Sequence, residues 1–337
     1  MKKTFTAYTA FIAAAGFALI STEMSAQQLP QFSQYMLNPY VINPAASSMH
    51  HDVDLAMGFR QQWSGFDGAP QTYYVGGTVN IGRKPQDAGF TYGIPISNRK
   101  LMSSGITERK SKHVVGGLAA VDEYGAFQRS SVMASYSYHH PIGDAYYLSV
   151  GTSLGWYGMN FGAGSVVLEN PNDNTYNDFV ANGTRANLFD INAGAMIYGE
   201  RLFAGYSIYQ IGENQIELGN NASPAGLSET RLAVHHFAMA GYRFTLTDEI
   251  DLTPSTLFKL RGPAPPSFDV NVKADFNERL FVGLSYRYED AVSILAGLHI
   301  SESIRVAYAY DYVTSQINNL SSGSHEIVLG VRFDRKN

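Results

Sequence analysis

The last third of the chain alternates apolar and polar residues with a period of two, over segments of a constant length. From Phe268 to Phe276 one face carries Phe268, Val270, Val272, Ala274 and Phe276, while the other carries Asp269, Asn271, Lys273 and Asp275. After Asn277-Glu278 the pattern recurs: Leu280, Val282, Leu284, Tyr286 and Tyr288 alternate with Phe281, Gly283, Ser285, Arg287 and Glu289. Ile304, Val306, Tyr308, Tyr310 and Tyr312 then alternate with Arg305, Ala307, Ala309 and Asp311. Successive strand residues point to opposite sides of a sheet, so each segment has one continuous apolar side. About ten residues per segment, apolar outside and charged inside, is the signature of a transmembrane β-barrel strand.

Composition is consistent with that fold class. The hydrophobic fraction of 45% is that of an ordinary globular chain, because half of every barrel strand faces a lumen and stays polar. No long apolar run follows the N-terminus, so no transmembrane helix is expected. The 22 Tyr and 19 Phe, against 2 Trp, suit rings placed at lipid headgroups. A net charge of -5 argues against nucleic acid, which calls for a basic face.

Residues 1–26 read as a signal peptide. Lys2 and Lys3 precede an apolar stretch from Phe5 to Ile20, and Ser25-Ala26 offers small residues for cleavage. The chain has no Cys, so neither an N-terminal lipid on Cys nor disulfide staples are available. An exported chain of this kind draws its stability from something large, and a closed barrel with every backbone group paired provides it.

A strand count extends the barrel back to Val53. Strands are expected near residues 53–62, 71–81, 113–122, 129–140, 145–158, 187–198, 201–210, 231–243, 250–260, 267–276, 279–289, 291–300, 303–313 and 325–333. That gives about fourteen antiparallel strands, an even number, as single-chain bacterial barrels have. Residues 82–112 are set aside as a basic insertion carrying Arg83, Lys84, Arg99, Lys100, Arg109, Lys110 and Lys112; its extended piece, Ala88 to Ile96, need not span. If the first strand runs outward, the connections at Pro141–Asp144, Gly199-Glu200, Thr245–Glu249, Asn277-Glu278 and Ser301-Glu302 fall on the periplasmic side, and all are short. The long stretches Met159–Ala186, Ile211–Thr230 and Thr314–Ser324 then fall outside. In the last strand Ile327, Leu329, Val331 and Phe333 share one face, so an aromatic closes the final lipid-facing row, with Asp334 to Asn337 trailing behind it.

The region before the barrel carries different words. Gln31-Phe32-Ser33-Gln34-Tyr35-Met36 is followed by Asn38-Pro39 and Asn43-Pro44-Ala45, then by Arg60-Gln61-Gln62-Trp63 and Gly65-Phe66-Asp67-Gly68-Ala69-Pro70. This combination resembles the PorP/SprF family of the Bacteroidetes type IX secretion system, whose members begin with a segment like PQFSQYM, continue through NPA and carry an R-x-x-W-x-GF-x-GAP block at the first hairpin. The likeness covers most of the chain after the signal peptide, with the motifs confined to about Pro30 to Pro70. The basic insertion departs from the family, which has a short connection there. The resemblance implies an outer membrane β-barrel that aids secretion, or anchors secreted adhesins at the surface in gliding bacteria, with other components of the secretion machine and its cargo as partners.

Physically these motifs read as fixtures of the fold. Proline locks φ and removes a donor, so Asn38-Pro39 and Asn43-Pro44 define an irregular segment, residues 27–52, that cannot join a strand ladder. With Phe32, Tyr35, Met36 and Leu37 it is amphipathic enough to dock, either plugging or lining the periplasmic mouth or contacting a partner. Trp63 and Phe66 read either as an interfacial anchor or as part of a binding surface, on a turn shaped by Gly65, Gly68 and Pro70.

Catalytic and cofactor signatures are missing: there is no HExxH, GxSxG, Walker loop or CxxC. His139-His140 and His235-His236 lie in expected strands, where adjacent side chains face opposite ways and cannot chelate one ion together. His50-His51 and a lipase-like Ser and His at the lipid boundary stay without a supporting pattern. The expectation is a non-enzymatic outer membrane component of type IX secretion that takes no cofactor or nucleic acid. The alternative is a passive porin or a transporter of small or hydrophobic solutes, because Asp269, Lys273, Asp275, Arg287, Glu289, Arg305 and Asp311 would line either an open lumen or one filled by ion pairs.

Overall fold

The computed structural model describes residues 29–49, 51–81, 110–162, 177, 185–213, 215–216, 230–262 and 264–333. These form a closed antiparallel barrel of 14 strands. In chain order they are β1 (Val53–Gln61), β2 (Gln71–Asn80), β3 (Lys112–Tyr124), β4 (Phe127–Ile142), β5 (Tyr146–Phe161), β6 (Arg185–Gly199) and β7 (Leu202–Tyr209). The second half comprises β8 (His235–Tyr242), β9 (Ile250–Arg261), β10 (Ala264–Phe276), β11 (Leu280–Arg287), β12 (Ala291–His299), β13 (Ile304–Val313) and β14 (Ser324–Phe333). Each strand pairs with its neighbours in sequence, and β14 closes on β1 from Val53↔Phe333 to Gln61↔His325. Two shorter ladders do not span: Phe244–Thr245 folds back on the start of β9, and Gln215–Ile216 pairs with Thr230–Arg231.

All fourteen expected strands are present, with shifted ends. β8 starts at His235, and β4, β5 and β6 run to 16, 16 and 15 residues. A tilted strand crosses hydrocarbon in about 9–11 residues, so these three project beyond it. Of the basic insertion, residues 82–109, with the piece Ala88 to Ile96, lie outside the described residues. So do most of the two longest connections and the tail after Phe333.

The two faces separate as the alternation requires. Val272, Leu284 and Ile294 stand side by side on β10, β11 and β12, and are 40%, 59% and 57% exposed. One residue along each strand, Asn271, Ser285 and Ser293 continue to Asp311 as a buried inner row. Glu289 departs from its expected inner position. β11 ends at Arg287, and Glu289 sits exposed in the following turn at φ 57°. At the other end, Asn277 and Glu278 have φ of 46° and 57°, and Arg279 N–H donates to Phe276 O at 3.0 Å. This is a type I′ hairpin, the turn whose twist matches that of its strands. Apart from residues 81–111, the connections at this end of the barrel are short, and the opposite end carries the long connections 162–184 and 210–234 along with short turns such as Gly125-Ala126.

The core of the molecule is inside the barrel. Tyr35, Met36, Val41, Ile42, Ala45 and Met49, from the segment before β1, pack with inward Met196, Phe203, Met239, Leu257 and Phe281. From the sequence, an irregular periplasmic segment is expected over 27–52 that either plugs or lines the periplasmic mouth or contacts a partner. Its described part instead runs through the lumen, because the polar inner rows of the strands supply partners that irregular backbone needs when buried.

Candidate functional site

The luminal segment begins near the long-loop end and finishes near the short-turn end, where β1 starts. Its upper anchor is a buried charge cluster. Arg60, near the end of β1, pairs with Asp311 at 2.7 Å and with Glu326 at 3.2 Å, and both acids are withdrawn from solvent. Ser33 completes the cluster from the segment: its backbone N–H donates to Glu326 at 2.7 Å and its hydroxyl to Asp311 at 2.7 Å. Gln34 donates from its amide side chain to Glu326 O at 2.9 Å. Arg287 donates to Gln31 Oε1 at 3.1 Å, to Ser33 Oγ at 3.2 Å and to Asp290 at 2.8 Å. Buried charges persist when paired and hydrogen-bonded, which these are.

Below the cluster, side chains on the strands capture both the backbone and the polar side chains of the segment. Asn271 donates to the Tyr35 hydroxyl. Tyr40 bonds Ser135 at 2.7 Å. Ser207 donates to Ile42 O, Ser149 to Ala45 O at 2.7 Å and Lys112 to Met49 O at 3.0 Å. Ser47 bonds Ser137, and the Ser48 N–H donates to Thr78 Oγ1 at 3.1 Å.

The Asn-Pro motifs make two tight 3₁₀ turns, Pro39–Val41 and Pro44–Ala46, each with proline at its first position. Proline fits there because that N–H would go unpaired anyway. Asn38 precedes the first turn without a side-chain cap. Asn43 caps the second: its Oδ1 accepts from Ala45 N–H at 2.9 Å, and its Nδ2 lies 3.4 Å from Ala195 O and Tyr206 O. The barrel wall makes room for this turn with glycine. A Cβ on Gly194 would lie 2.1 Å from Asn43 Oδ1, and one on Gly151 would lie 2.7 Å from Ala45 N.

The remaining motif residues hold the first hairpin. Phe32 packs edge-on to Tyr74 with centroids 5.0 Å apart, and Met36 is buried in the core. In the β1–β2 connection Trp63, at φ 46°, donates its N–H to Ser324 Oγ at 3.1 Å. Ser64 exchanges backbone bonds with Gly323 and Ser322, and Gly125 donates to Gly68 O at 2.9 Å. Gly65 and Gly68 have φ of 94° and 72°, which other residues rarely adopt. The loop is thus stitched to both neighbouring hairpins, Gln62 N–H donates to Pro70 O at 2.8 Å, and Phe66 stays 45% exposed.

The histidine pairs split as strand geometry demands. His139 faces the lumen beside Tyr198 at 2.8 Å, while His140 is outside near Ser111. His235 is buried and His236 bonds Tyr206 on the outer face. Among the described residues no group of three or more His, Asp or Glu side chains is placed to hold a metal ion. The sequence motifs left out Asp311, Glu326, Ser149, Ser207, Gly151 and Gly194, all of which contact the segment. Their only trace in the sequence is the small or charged residue at inner positions of the alternation.

A family model described as type IX secretion system membrane protein PorP/SprF matches residues 24–331. No curated protein matches the chain. Among solved structures the chain is similar to the Ralstonia pickettii toluene transporter TbuX, with 9% identity, a TM-score of 0.48, and coverage of 92% of this chain and 96% of that one. A Pseudomonas aeruginosa FadL homologue has 11% identity and a TM-score of 0.47 over 92% of this chain and 96% of its own. For the Acinetobacter baumannii outer membrane protein Omp33 the values are 8%, 0.44, 85% and 100%.

Proposed function

The chain belongs to the PorP/SprF family of type IX secretion system membrane proteins, and from that premise we propose that it works in the outer membrane as a protein-handling barrel. It aids secretion of cargo, or holds secreted surface proteins such as adhesins at the cell surface, together with other components of the secretion machine. Family and fold are those of outer membrane β-barrel proteins and not of enzyme families, and both support an outer membrane location.

The observation that carries this reading is the filled lumen. A diffusion pore needs a continuous aqueous path, whereas residues 31–49 cross this lumen and hydrogen-bond to eleven of its strands. That favours surfaces over a channel as the working parts, and so favours protein handling over a passive porin. Deleting the gene and following secreted proteins tests it. General loss of secretion indicates assembly of the machine, and loss of one surface protein indicates anchoring. Unchanged secretion and display, with reduced solute uptake, would overturn the reading.

A further inference from the structure

Above the luminal segment, the barrel encloses a cavity of about 600 Å³. This lies within the roughly 300–1,000 Å³ typical of small-molecule sites. Its walls are mostly apolar: Leu29 and Phe32 from the segment face Leu118, Met133, Phe237 and Leu257 from β3, β4, β8 and β9. Other parts of the lumen are polar. On β10 to β13 the inner row Asn271, Ser285, Ser293 and Asp311 is polar, and on β4 the inner row passes from Met133 to Ser135 and Ser137, where the segment bonds. An apolar wall with nothing against it forfeits its contacts.

Three of the charged groups around the cavity are engaged within the protein. Asp122 accepts from Thr72 at 2.6 Å, Arg129 lies over the rings of Tyr124 and Tyr157 at 5.5 and 5.6 Å, and Lys259 pairs with Asp269 at 2.8 Å. Asp190 is only 2% exposed, and its Oδ1 has no hydrogen-bond partner among the described residues. An anion would have to break one of these arrangements or sit against the Asp190 carboxylate, while an uncharged ligand would do neither.

We propose that this cavity binds an uncharged, predominantly apolar small molecule, seated between the luminal segment and β3, β4, β8 and β9. The site goes beyond the secretory reading and stands or falls separately from it.

The full chain in lipid nanodiscs, irradiated with the neutral photolabel 3-trifluoromethyl-3-phenyldiazirine and mapped by mass spectrometry, tests the site. Outward Val132 and Leu154, both 56% exposed, report lipid labelling and serve as the internal control. Expected are saturable adducts on Leu118, Met133 or Phe237, at least tenfold weaker with the benzoate form of the label. Ala120→Trp, which fills the cavity, should remove the inner adducts and leave those on Val132 and Leu154 unchanged; if that variant fails to fold, Ser131→Phe fills the same space. Absent or non-saturating inner adducts, equal labelling by the benzoate, or adducts that survive the filled cavity would overturn the proposal.

Discussion

Arg60 and Ser33 lie 27 positions apart, and the Arg60 guanidinium donates to the Ser33 hydroxyl at 2.8 Å inside the barrel. One belongs to the block at the first hairpin and the other to the segment that precedes the barrel. The two sequence words are therefore the two sides of one contact, closed by Asp311 and Glu326 from the last two strands. Because β14 pairs with β1 at the seam of the barrel, the same cluster ties the luminal segment to barrel closure.

Arg60→Ala should be strongly destabilising. It leaves two carboxylates buried without their cation, and removing one member of a buried ion pair costs about 3–5 kcal/mol. A lower temperature for loss of heat-modifiable migration on gels would register it. Arg60→Lys should recover only part, since an ammonium is a single point and cannot reproduce the fork that meets Ser33, Asp311 and Glu326 together. A melting temperature equal to that of the parent protein would show that the cluster does not hold the segment.

Gly194→Val tests the fit of the luminal segment without touching a charge. Any Cβ at this position would sit 2.1 Å from Asn43 Oδ1, against a capped turn that has little freedom to shift. The expected outcome is displacement of the segment with the barrel wall retained. Planar bilayer recordings should then show ion conductance in the variant and almost none in the parent. Equal conductance in the two would mean that the segment does not block the lumen.

The barrel was legible because membrane strands write their geometry locally. Val272, Leu284 and Ile294 appear as a period-two pattern within each segment, and the parity of the count follows from turns such as Asn277-Glu278. The place of the luminal segment was not legible. Its contacts include Ser149, Ser207, Gly151, Gly194 and Glu326, each more than a hundred residues away and each indistinguishable by type from any other inner position. Glu289 failed for the opposite reason: the alternation continued in the sequence for two residues after the ladder had ended, where a turn at positive φ takes over. Proline and asparagine told where the chain could not be a strand, but not what it would lie against.

A charge on the outer face should cost what lipid demands. Leu284 is mid-strand on β11 and 59% exposed between Val272 and Ile294. Leu284→Arg should lower stability by about 2–4 kcal/mol, the range for Arg or Lys near a bilayer midplane. Urea-dependent folding into vesicles measures it. The same substitution at exposed Leu246, in the turn before β9, should cost at most about 1 kcal/mol because it lies near the interface. Similar losses at both positions would mean that Leu284 does not face hydrocarbon.

Orientation in the membrane can be read with single cysteines, because the chain has none of its own. Phe66 lies on the connection from β1 to β2, at the end that carries the longer loops, and Leu246 lies on the connection from β8 to β9 at the opposite end; both are exposed. Outer membrane barrels keep short turns inside and long loops outside. Phe66→Cys should therefore react with a membrane-impermeant maleimide on intact cells, and Leu246→Cys only after the outer membrane is permeabilised. The same orientation fixes the luminal segment. Ser33, beside Arg60 and Arg287, lies toward the cell surface, and Met49, beside Lys112, lies toward the periplasm. The chain would then enter the barrel from its outer half and pass inward before β1 begins. The reverse labelling pattern would invert the barrel, place the stitched Trp63 to Pro70 loop in the periplasm, and make that loop the surface that meets periplasmic components of the secretion machine.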